Sequence, residues 1–189
     1  MPTHSRIILE QSADRIFHNA MQLFSYYAWI TKIAPTLKEG ELGSIDFVYF
    51  SITQNAVLDG YLINLRRLNE FFSKRRRNEE RADDLRAYHF GFPQIGRFLD
   101  EPDMTKIHKR IAHATTQAII TNRDFYEIFL STELALKHCF KFFEFLKTSF
   151  YGPENPKSKQ LTKVVPALHW FWDSWCADVK RLKGSKTTR

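Results

Sequence analysis

The stretch SIDFVYFSITQNAVLDGYLINLRRLNEFF, residues 44–72, decides the fold class of this chain. Its apolar residues recur at intervals of three and four, which is the periodicity of an α-helix. Ser44 is a suitable N-cap, and Gly40 and Gly43 indicate a loop before it. Because apolar residues lie on two faces of this helix, we predict that it occupies the centre of a helical bundle. The first face comprises Phe47, Phe50, Leu58, Leu62, Leu65, Leu68 and Phe72, and the second comprises Ile45, Tyr49, Ile52, Ala56 and Ile63.

Helical periodicity continues on both sides of this helix and is interrupted by proline, glycine and polar segments. Asp103 and Asn122 are suitable N-caps, and Pro35 disfavours helical geometry at the residue before it. Residues 152–163 are predicted to form a polar connector. Residues 74–86, which alternate basic and acidic groups, suit a solvated turn or short helix. The predicted helices span residues 5–34, 44–72, 103–120, 122–150 and 166–182.

The last two predicted helices carry many of the large apolar residues. The helix over 122–150 is expected to bury Phe125, Phe129, Leu136, Cys139, Phe143 and Leu146. The final helix is expected to dock through Leu168, Phe171, Trp172, Trp175 and Val179. With 43% hydrophobic and 15% aromatic residues, the chain has ample material for one core. We therefore predict an all-α fold, a helical bundle of four to six helices with long antiparallel core helices. It forms a single domain over residues 1–189, with a flexible basic tail from about residue 183.

Composition and charge indicate a soluble protein with a cationic surface. The formal net charge of +7 favours contact with polyanions such as RNA, and it also serves solubility. No stretch approaches the roughly 20 apolar residues of a membrane span, and the first 35 residues do not resemble a signal peptide. Cys139 and Cys176 lie in apolar helical patterns, which predicts free thiols in a reducing cytoplasm. Because phosphate loops, nucleophile elbows and dinucleotide fingerprints are absent, no cofactor is predicted.

The segment MTKIHKRIAHATTQ, residues 104–117, carries the candidate chemistry. Its apolar residues share one helical face, while Lys106, Arg110, His113 and Gln117 fall within an arc of about 60°. An imidazole that titrates near neutrality can move protons, and fixed cations can stabilise a phosphorane. This set therefore has the parts needed to cleave RNA without a metal ion, with the ribose 2′-hydroxyl as nucleophile. The same pattern is also typical of a solvated helix face with one exposed histidine.

Other polar positions on these helices have structural or binding interpretations. His108 lies about 140° from His113 around the helix, so the two histidines cannot form an i,i+4 metal pair, and no metal site is predicted. Asp59 is expected to pair with an arginine on its own or another helix, because buried charges must be paired. Some polar residues could instead border a basic groove. The candidate RNA-binding residues are Lys109, Gln117, Arg66 and Arg67.

Two segments resemble the HEPN superfamily of helical-bundle proteins, in particular its abortive-infection-type branch. They are YFSITQNAVLDGYLINLRRLNEFF at residues 49–72 and HKRIAHATT at residues 108–116. The resemblance extends over roughly residues 44–148. It implies a four- or five-helix bundle, commonly a homodimer in which histidine-bearing helices from both subunits line a shared cleft. In active members of the superfamily this cleft cuts RNA without a metal ion.

The resemblance also implies residue roles. His113 matches the family histidine, which acts as acid and base. In the family, four to six residues lie between the arginine and this histidine, and at the corresponding positions this chain has His108, Ile107 and Lys106. Lys106 or Arg110 would therefore replace that arginine, although a lysine lacks its planar fork. The resemblance thus predicts His113, Arg110 and Lys106 as the catalytic residues.

Two other functions remain open from the sequence. The replaced arginine favours a non-catalytic helical interaction module, antitoxin-like or defence-associated, in which the stripe around His113 binds a protein or faces solvent. A helical core rich in Phe and Trp could also enclose an apolar pocket for a small molecule. The first alternative predicts no cleavage of RNA, and the second predicts stabilisation by a ligand.

Overall fold

Five α-helices make up most of the part of the chain that the structure, a computed structural model, describes. The described residues are 4–30, 44–73, 84–93, 95–112 and 122–184, with side chains except at 44–47, 110–112, 122–130 and most positions from 167 onward. The helices are α1 (Arg6–Ala28), α2 (Ser44–Phe72), α3 (Glu101–Ala112), α4 (Asn122–Phe145) and α5 (Pro156–Gly184). A 3-10 helix (Ala87–Phe90) precedes α3, and a π-helical turn (Leu146–Phe150) follows α4. The predicted all-α bundle is confirmed.

The second helix is central, because α1, α3 and α4 all pack against it. Trp29, just after α1, packs its ring 6.0 Å from that of Phe50 near the start of α2. Earlier in α1, Tyr26 contacts Gly60, which lies further along α2. Helices α1 and α2 therefore run antiparallel. The predicted bounds of α2 are confirmed, as is the central position of this helix.

The core is centred on Phe142 of α4, which is fully buried. The rings around it lie with centroids 5.1 Å (Phe71), 5.2 Å (Phe90), 5.3 Å (Phe92), 5.9 Å (Phe72) and 6.0 Å (Phe143) away. Most of these pairs meet edge to face, an arrangement that aromatic quadrupoles favour. The core thus joins α2, α4 and the segment that contains the 3-10 helix.

The two predicted apolar faces of α2 differ in burial. On the first face Leu62, Leu65 and Leu68 are completely buried. On the second face, however, Tyr49 is 66% exposed and Ile52 is 59% exposed. The second face is therefore not buried along its whole length, although α2 is central. Periodicity marks both faces, but it does not show which of them a neighbouring helix covers.

The start of α3 differs from the prediction. Asp103 does not cap this helix; its backbone N–H donates to Asp100 Oδ1 at 2.8 Å, so Asp100 is the N-cap. Pro102 lies inside the first turn, where its missing N–H costs no intrahelical hydrogen bond. The sequence offers two aspartates near this proline, and Asp100 is the one that lets the first turn include it. The predicted continuation of α3 to residue 120 lies outside the described residues beyond Ala112.

The last helix begins at Pro156, well before the predicted Pro166. The side chain of Asn155 accepts a hydrogen bond of 2.9 Å from the Lys157 N–H, and proline is favoured at the first helical position. Pro166 lies inside the helix, so much of the predicted polar connector is helical. Helix α5 also extends through Gly184, past the predicted start of the tail. The predicted docking side chains of this helix lie outside the described residues, as does the side chain of Cys176.

The first helix begins as predicted but its regular α-helical part ends at Ala28, and residues 31–34 of its predicted range lie outside the described residues. Helix α1 is capped by the Ser5 hydroxyl, which accepts from the Ile8 N–H at 3.4 Å. Helix α4 gives way at Leu146 to the π-helical turn, where the prediction had one continuous helix to residue 150. Burial of Leu136, Cys139, Phe143 and Leu146 is confirmed. The side chains of Phe125 and Phe129 lie outside the described residues.

Arg86 corrects the prediction that residues 74–86 are solvated throughout. Its side chain is only 4% exposed. The guanidinium donates to the carbonyl of Glu70 and, at 3.3 Å, to Asp84 Oδ2. A charge run in the sequence therefore ends in a buried arginine that ties the segment to the end of α2. Residues 74–83 lie outside the described residues.

Among the described helices, none has both the length and the apolarity required to cross a membrane.

Candidate nucleic-acid interface

A buried asparagine sets the position of α3 against α2. Asn69 is 2% exposed. Its Oδ1 accepts hydrogen bonds of 3.0 Å from the N–H groups of Phe98 and Leu99, just before α3. Its Nδ2 contacts Met104 Sδ at 3.4 Å. Because one side chain holds both the preceding loop and the first turns of α3, the register of the two helices is fixed.

This register brings a cation of α2 to a histidine of α3. Arg66 lies about one helical turn before Asn69, and His108 lies about one turn after Met104, so the two meet across the interface. Arg66 Nη1 lies 3.1 Å from His108 Nδ1. A guanidinium can only donate, so Nδ1 accepts and the proton of the neutral ring is assigned to Nε2. The pairs Asn69–Met104 and Arg66–His108 show that α2 and α3 run antiparallel.

An open cleft of about 310 Å³ lies beside this pair. Glu101 in its lining pairs with Arg97, and Arg66 Nε also donates to Glu70 Oε1 at 2.9 Å on its own helix. Lys109 adds a further cation to the lining. The cleft therefore carries more positive than negative groups. It is lined by Arg66, Glu101, Met104, Thr105, His108 and Lys109.

The structure separates the predicted site residues into different groups. Arg66 and Lys109 share the cleft with His108, whereas Lys106 is not among the residues that line it. Lys106 Nζ instead lies 3.9 Å from Asp103 Oδ1 on its own helix. Arg67 is exposed on α2 and is likewise absent from the cleft lining.

The remaining predicted site residues cannot be placed in this cleft. Arg110 belongs to α3, but its side chain lies outside the described residues. His113 and Gln117 lie outside the described residues altogether. The predicted stripe formed by Lys106, Arg110, His113 and Gln117 therefore stays a prediction.

His108 is the residue of the cleft that the sequence argument missed. In the sequence it was excluded from metal binding and given no other function. Helical geometry could have indicated it, because His108 lies about 100° from Ile107 around α3 and so at the edge of the buried face. Ile107 is completely buried. Its contact with Arg66 depends on the register that Asn69 imposes, and helical periodicity within α3 alone does not contain that register.

A second, smaller cavity lies between α1, the π-helical turn and α5. It has a volume of about 70 Å³, and Phe17, Leu161 and Val164 contribute to its lining. The Tyr151 hydroxyl borders it, and burial together with the nearby acids Asp14 and Glu10 raises the pKa of Tyr151 to about 12. Pockets for drug-sized ligands typically exceed roughly 300 Å³, so this cavity is small for the predicted ligand-binding function.

Metal-binding geometry is absent from the described parts of the chain. No group of three or more His, Cys, Asp or Glu side chains there is arranged to hold a metal ion. His4 and His89 contact one another with ring centroids 4.6 Å apart, but no third ligand joins them within the described ranges.

Comparison of the chain with known proteins finds no relative. No protein-family model matches the chain, and neither a curated protein nor a solved structure matches it. The resemblance to the HEPN superfamily thus rests on the two quoted segments alone. The fold and the cleft together define an all-α bundle with a cationic cleft between two of its helices.

Proposed function

We propose that this protein binds RNA across the surface formed by α2 and α3 and cleaves it without a metal ion. The contact between Arg66 and His108, in a cleft that Lys109 also lines, is the observation that carries the proposal. It places cations from two helices on one surface. Such an arrangement suits a phosphate backbone, because phosphate neutralisation dominates the affinity of proteins for nucleic acids. The net charge of +7 supports the same partner.

Cleavage is assigned to the stripe on α3 and the residues that follow it. His113 acts as acid and base, and Arg110 and Lys106 are phosphate ligands. The 2′-hydroxyl of the RNA attacks the adjacent phosphorus, the bond to the 5′-oxygen breaks, and a 2′,3′-cyclic phosphate forms. His113 takes the hydroxyl proton or returns one to the leaving oxygen, and the cations stabilise the charge of the phosphorane. The HEPN resemblance supports these roles.

The test is cleavage of a mixture of structured and single-stranded RNA by purified protein in EDTA. Wild type is expected to cut and leave 2′,3′-cyclic phosphate ends. His113→Ala is expected to lose at least on the order of a hundredfold in rate, because general acid–base catalysis contributes that much. His18→Ala, which removes an exposed histidine of α1, is the matched control and should keep the wild-type rate. Equal cleavage by wild type and His113→Ala would refute the role of His113.

A second candidate function is supported by the exposed apolar face of α2. Val48, Tyr49 and Ile52 are each more than half exposed, and helical spacing groups them on one side. Exposed apolar patches of this kind mark surfaces that bind proteins. This observation favours the non-catalytic interaction module. Absence of both RNA binding and cleavage, with active controls, would select it over the ribonuclease.

A further inference from the structure

Helix α5 carries an exposed tryptophan on the side that faces away from the core. Trp170 is 64% exposed, although tryptophan is on average a highly buried residue. The rotation of α5 is set by the buried Val165 and by His169, whose ring centroid lies 3.8 Å from that of Phe140 on α4. By helical geometry Trp170 lies about 140° around α5 from Val165. The ring of Trp170 is therefore presented to solvent by the packing of α5 itself.

Two lysines share this side of α5 with the tryptophan. Lys163 lies about two helical turns before Trp170 and Lys159 about three turns before it, so the three residues fall within an arc of about 40°. Both lysines are exposed. Lys163 takes part in no ion pair among the described residues, and Lys159 lies 3.9 Å from Glu154 in a pair of well-exposed side chains. An exposed pair of this kind contributes little to stability, so it does not withhold the lysine from another anion.

Acidic residues are absent from this part of the helix. From Pro156 to Trp172 the sequence contains lysines but no aspartate or glutamate. Asp173 is exposed, and it lies about 60° around the helix from Trp170. Because Asp173 follows the tryptophan in the chain, its carboxylate does not separate the ring from the lysines. An aromatic ring and two cations thus form one continuous surface, the outer face of α5, which consists of Lys159, Lys163 and Trp170.

The spacing along the outer face of α5 suits a single strand of nucleic acid. With a rise of about 1.5 Å per residue, Lys163 lies about 10 Å and Lys159 about 16 Å along the helix axis from Trp170. Phosphates of one stacked strand are about 3.4 Å apart along its axis. A strand with one base on the Trp170 ring therefore brings phosphates to both ammonium groups within about five nucleotides. Proteins bind single strands in this way, with aromatic rings that stack on bases beside a basic surface.

We infer that the outer face of α5 is a second binding site for single-stranded RNA. One base stacks on the Trp170 ring, and the backbone passes along Lys163 and Lys159. This inference rests on the proposed RNA-binding function and does not depend on cleavage. The site lies on α5, whereas the cleft that carries the proposed function lies between α2 and α3. It adds affinity for a flanking part of the strand without reading sequence, because every base has a π-face.

A protein is the other class of partner that an exposed tryptophan fits, since tryptophan is enriched at the energetic centres of protein interfaces. Lysine, however, is depleted at such interfaces, and the outer face of α5 has two of them beside the ring. The cations favour a polyanion as the occupant.

The test compares two fluorescent strands of about ten nucleotides, a length typical of single-strand sites. One is a single-stranded RNA with 2′-O-methyl groups, which the proposed reaction cannot cut, and the other has the same backbone without bases. Trp170→Leu keeps an apolar side chain but removes the ring, and it should weaken binding of the base-bearing strand by on the order of tenfold. It should leave binding of the base-free strand unchanged, because stacking requires a base. Trp170→Phe keeps an aromatic ring and should recover most of the lost affinity.

The dependence of affinity on salt tests the backbone contact. Each phosphate neutralised on a single strand contributes about 0.7 to the slope of log affinity against log salt. Lys163→Gln is expected to reduce this slope by about 0.7 with both strands, whereas Trp170→Leu should leave it unchanged. Arg15→Gln removes an exposed cation of α1 and is the matched control, which should keep the wild-type affinity and slope.

The possible failures of this inference are distinguishable from those of the proposed function. Wild-type affinity in Trp170→Leu, or equal weakening with both strands, would overturn the stacking site while RNA binding stands. A wild-type slope in Lys163→Gln would overturn the path of the backbone along α5. Failure of wild type to bind RNA would overturn both this inference and the proposed function.

Sedimentation distinguishes RNA from a protein occupant of the outer face of α5. A dimer of wild type that becomes a monomer in Trp170→Leu would show that this face binds a second copy of the chain, and would overturn the inference. Thermal melts establish that each variant is folded. Since Lys163 is an exposed residue, its salt slope keeps the test decisive if the Trp170 variants do not fold.

Discussion

His138 on α4 lies half-buried against the aromatic core. Its ring centroid is 5.5 Å from that of Phe72 and 5.9 Å from that of Phe98. Burial lowers the pKa of His138, and the positive charges of Lys141 and Lys137 lower it further. Its Nδ1 is buried and has no hydrogen-bond partner among the described residues. The fold therefore favours the neutral imidazole at this position.

Acidification should destabilise the protein through His138. Its pKa in the unfolded chain is about 6.5, and in the fold it is lower, so the unfolded chain binds the proton more readily. The free energy of unfolding is therefore expected to fall as the pH drops through about 6.5. The loss is complete once the pH is below the pKa of the folded state. Urea unfolding of wild type and His138→Gln between about pH 8 and pH 5 measures this contribution.

The variant should lose less stability than wild type over this range. His18→Gln, at an exposed position of α1, is the control and should retain the wild-type pH dependence. An identical pH dependence for His138→Gln and wild type would show that protonation of this ring is not coupled to folding.

At the residue scale, the sequence identified only part of the cleft. Arg66 and Lys109 were recognised as candidate RNA-binding residues because they are cations on predicted helices. Arg67 was grouped with them but does not line the cleft. Helical periodicity gives the direction of each side chain around its own axis, but it does not say which residue faces it from the next helix. The partnership of Arg66 with His108 depends on the hydrogen bonds of Asn69, and these are contacts between distant parts of the chain.

The packing of α1 on α2 depends on a glycine. A Cβ atom added at Gly60 would lie 2.7 Å from Cε2 and 2.8 Å from Cζ of the Tyr26 ring. These distances are shorter than van der Waals contact, so the ring would have to move. Glycine in the middle of a helix is otherwise unfavourable by roughly 0.5–1 kcal/mol relative to alanine. Close approach of the Tyr26 ring explains why α2 carries a glycine here.

The effect of Gly60→Ala on the free energy of unfolding should therefore change sign when the Tyr26 ring is removed. In wild type, overpacking costs roughly 1–3 kcal/mol, which exceeds the gain in helix propensity, so we expect a net destabilisation of about 1 kcal/mol. In a Tyr26→Ala background the clash is absent, and Gly60→Ala should stabilise by roughly 0.5–1 kcal/mol. Urea unfolding of the four proteins of this double-mutant cycle measures both values. Destabilisation of equal size in both backgrounds would show that Tyr26 is not the reason for the glycine.

At the element scale, helix bounds were predicted best where the capping residues and the apolar pattern indicated the same bounds. The bounds of α2 follow from a suitable N-cap region and a sustained apolar pattern. The predicted start of α5 at Pro166 is wrong because Pro156 was assigned to a polar connector, whereas Pro156 occupies the favourable first helical position and Pro166 is tolerated within the helix. The exposure of Tyr49 and Ile52 could not be predicted, because the apolar pattern of α2 does not show which of its residues other helices cover.

For the whole molecule, the core forms one cluster that draws on every helix. It contains residues of α1, α2, α3, α4 and α5, together with the 3-10 helix and the π-helical turn. Helix α4 joins the two sides of this cluster, because it packs against both α2 and α5. Ser158 of α5 donates at 3.0 Å to the carbonyl of Lys147, and the ring of His169 lies 3.8 Å from that of Phe140, so α4 and α5 run antiparallel. Such sharing of one core predicts cooperative unfolding.

Cys139 gives a direct test of that cooperativity, because it lies in the C-terminal half of α4 with no exposed surface. Burial raises the pKa of its thiol above the usual value, and only the thiolate reacts with a disulfide reagent. The variant Cys176→Ser leaves Cys139 as the only thiol. Labelling of this thiol should be at least on the order of a thousandfold slower in the native protein than in the urea-unfolded chain, because the core must open first. At equilibrium in urea, the midpoint at which short labelling pulses reach Cys139 should coincide with the midpoint at which circular dichroism reports loss of helix. Rapid labelling at urea concentrations where the helical signal is still native would mean that α4 separates from its neighbours independently. A shared midpoint would mean that α4 opens only when α2, and with it the surface proposed to bind RNA, also loses its structure.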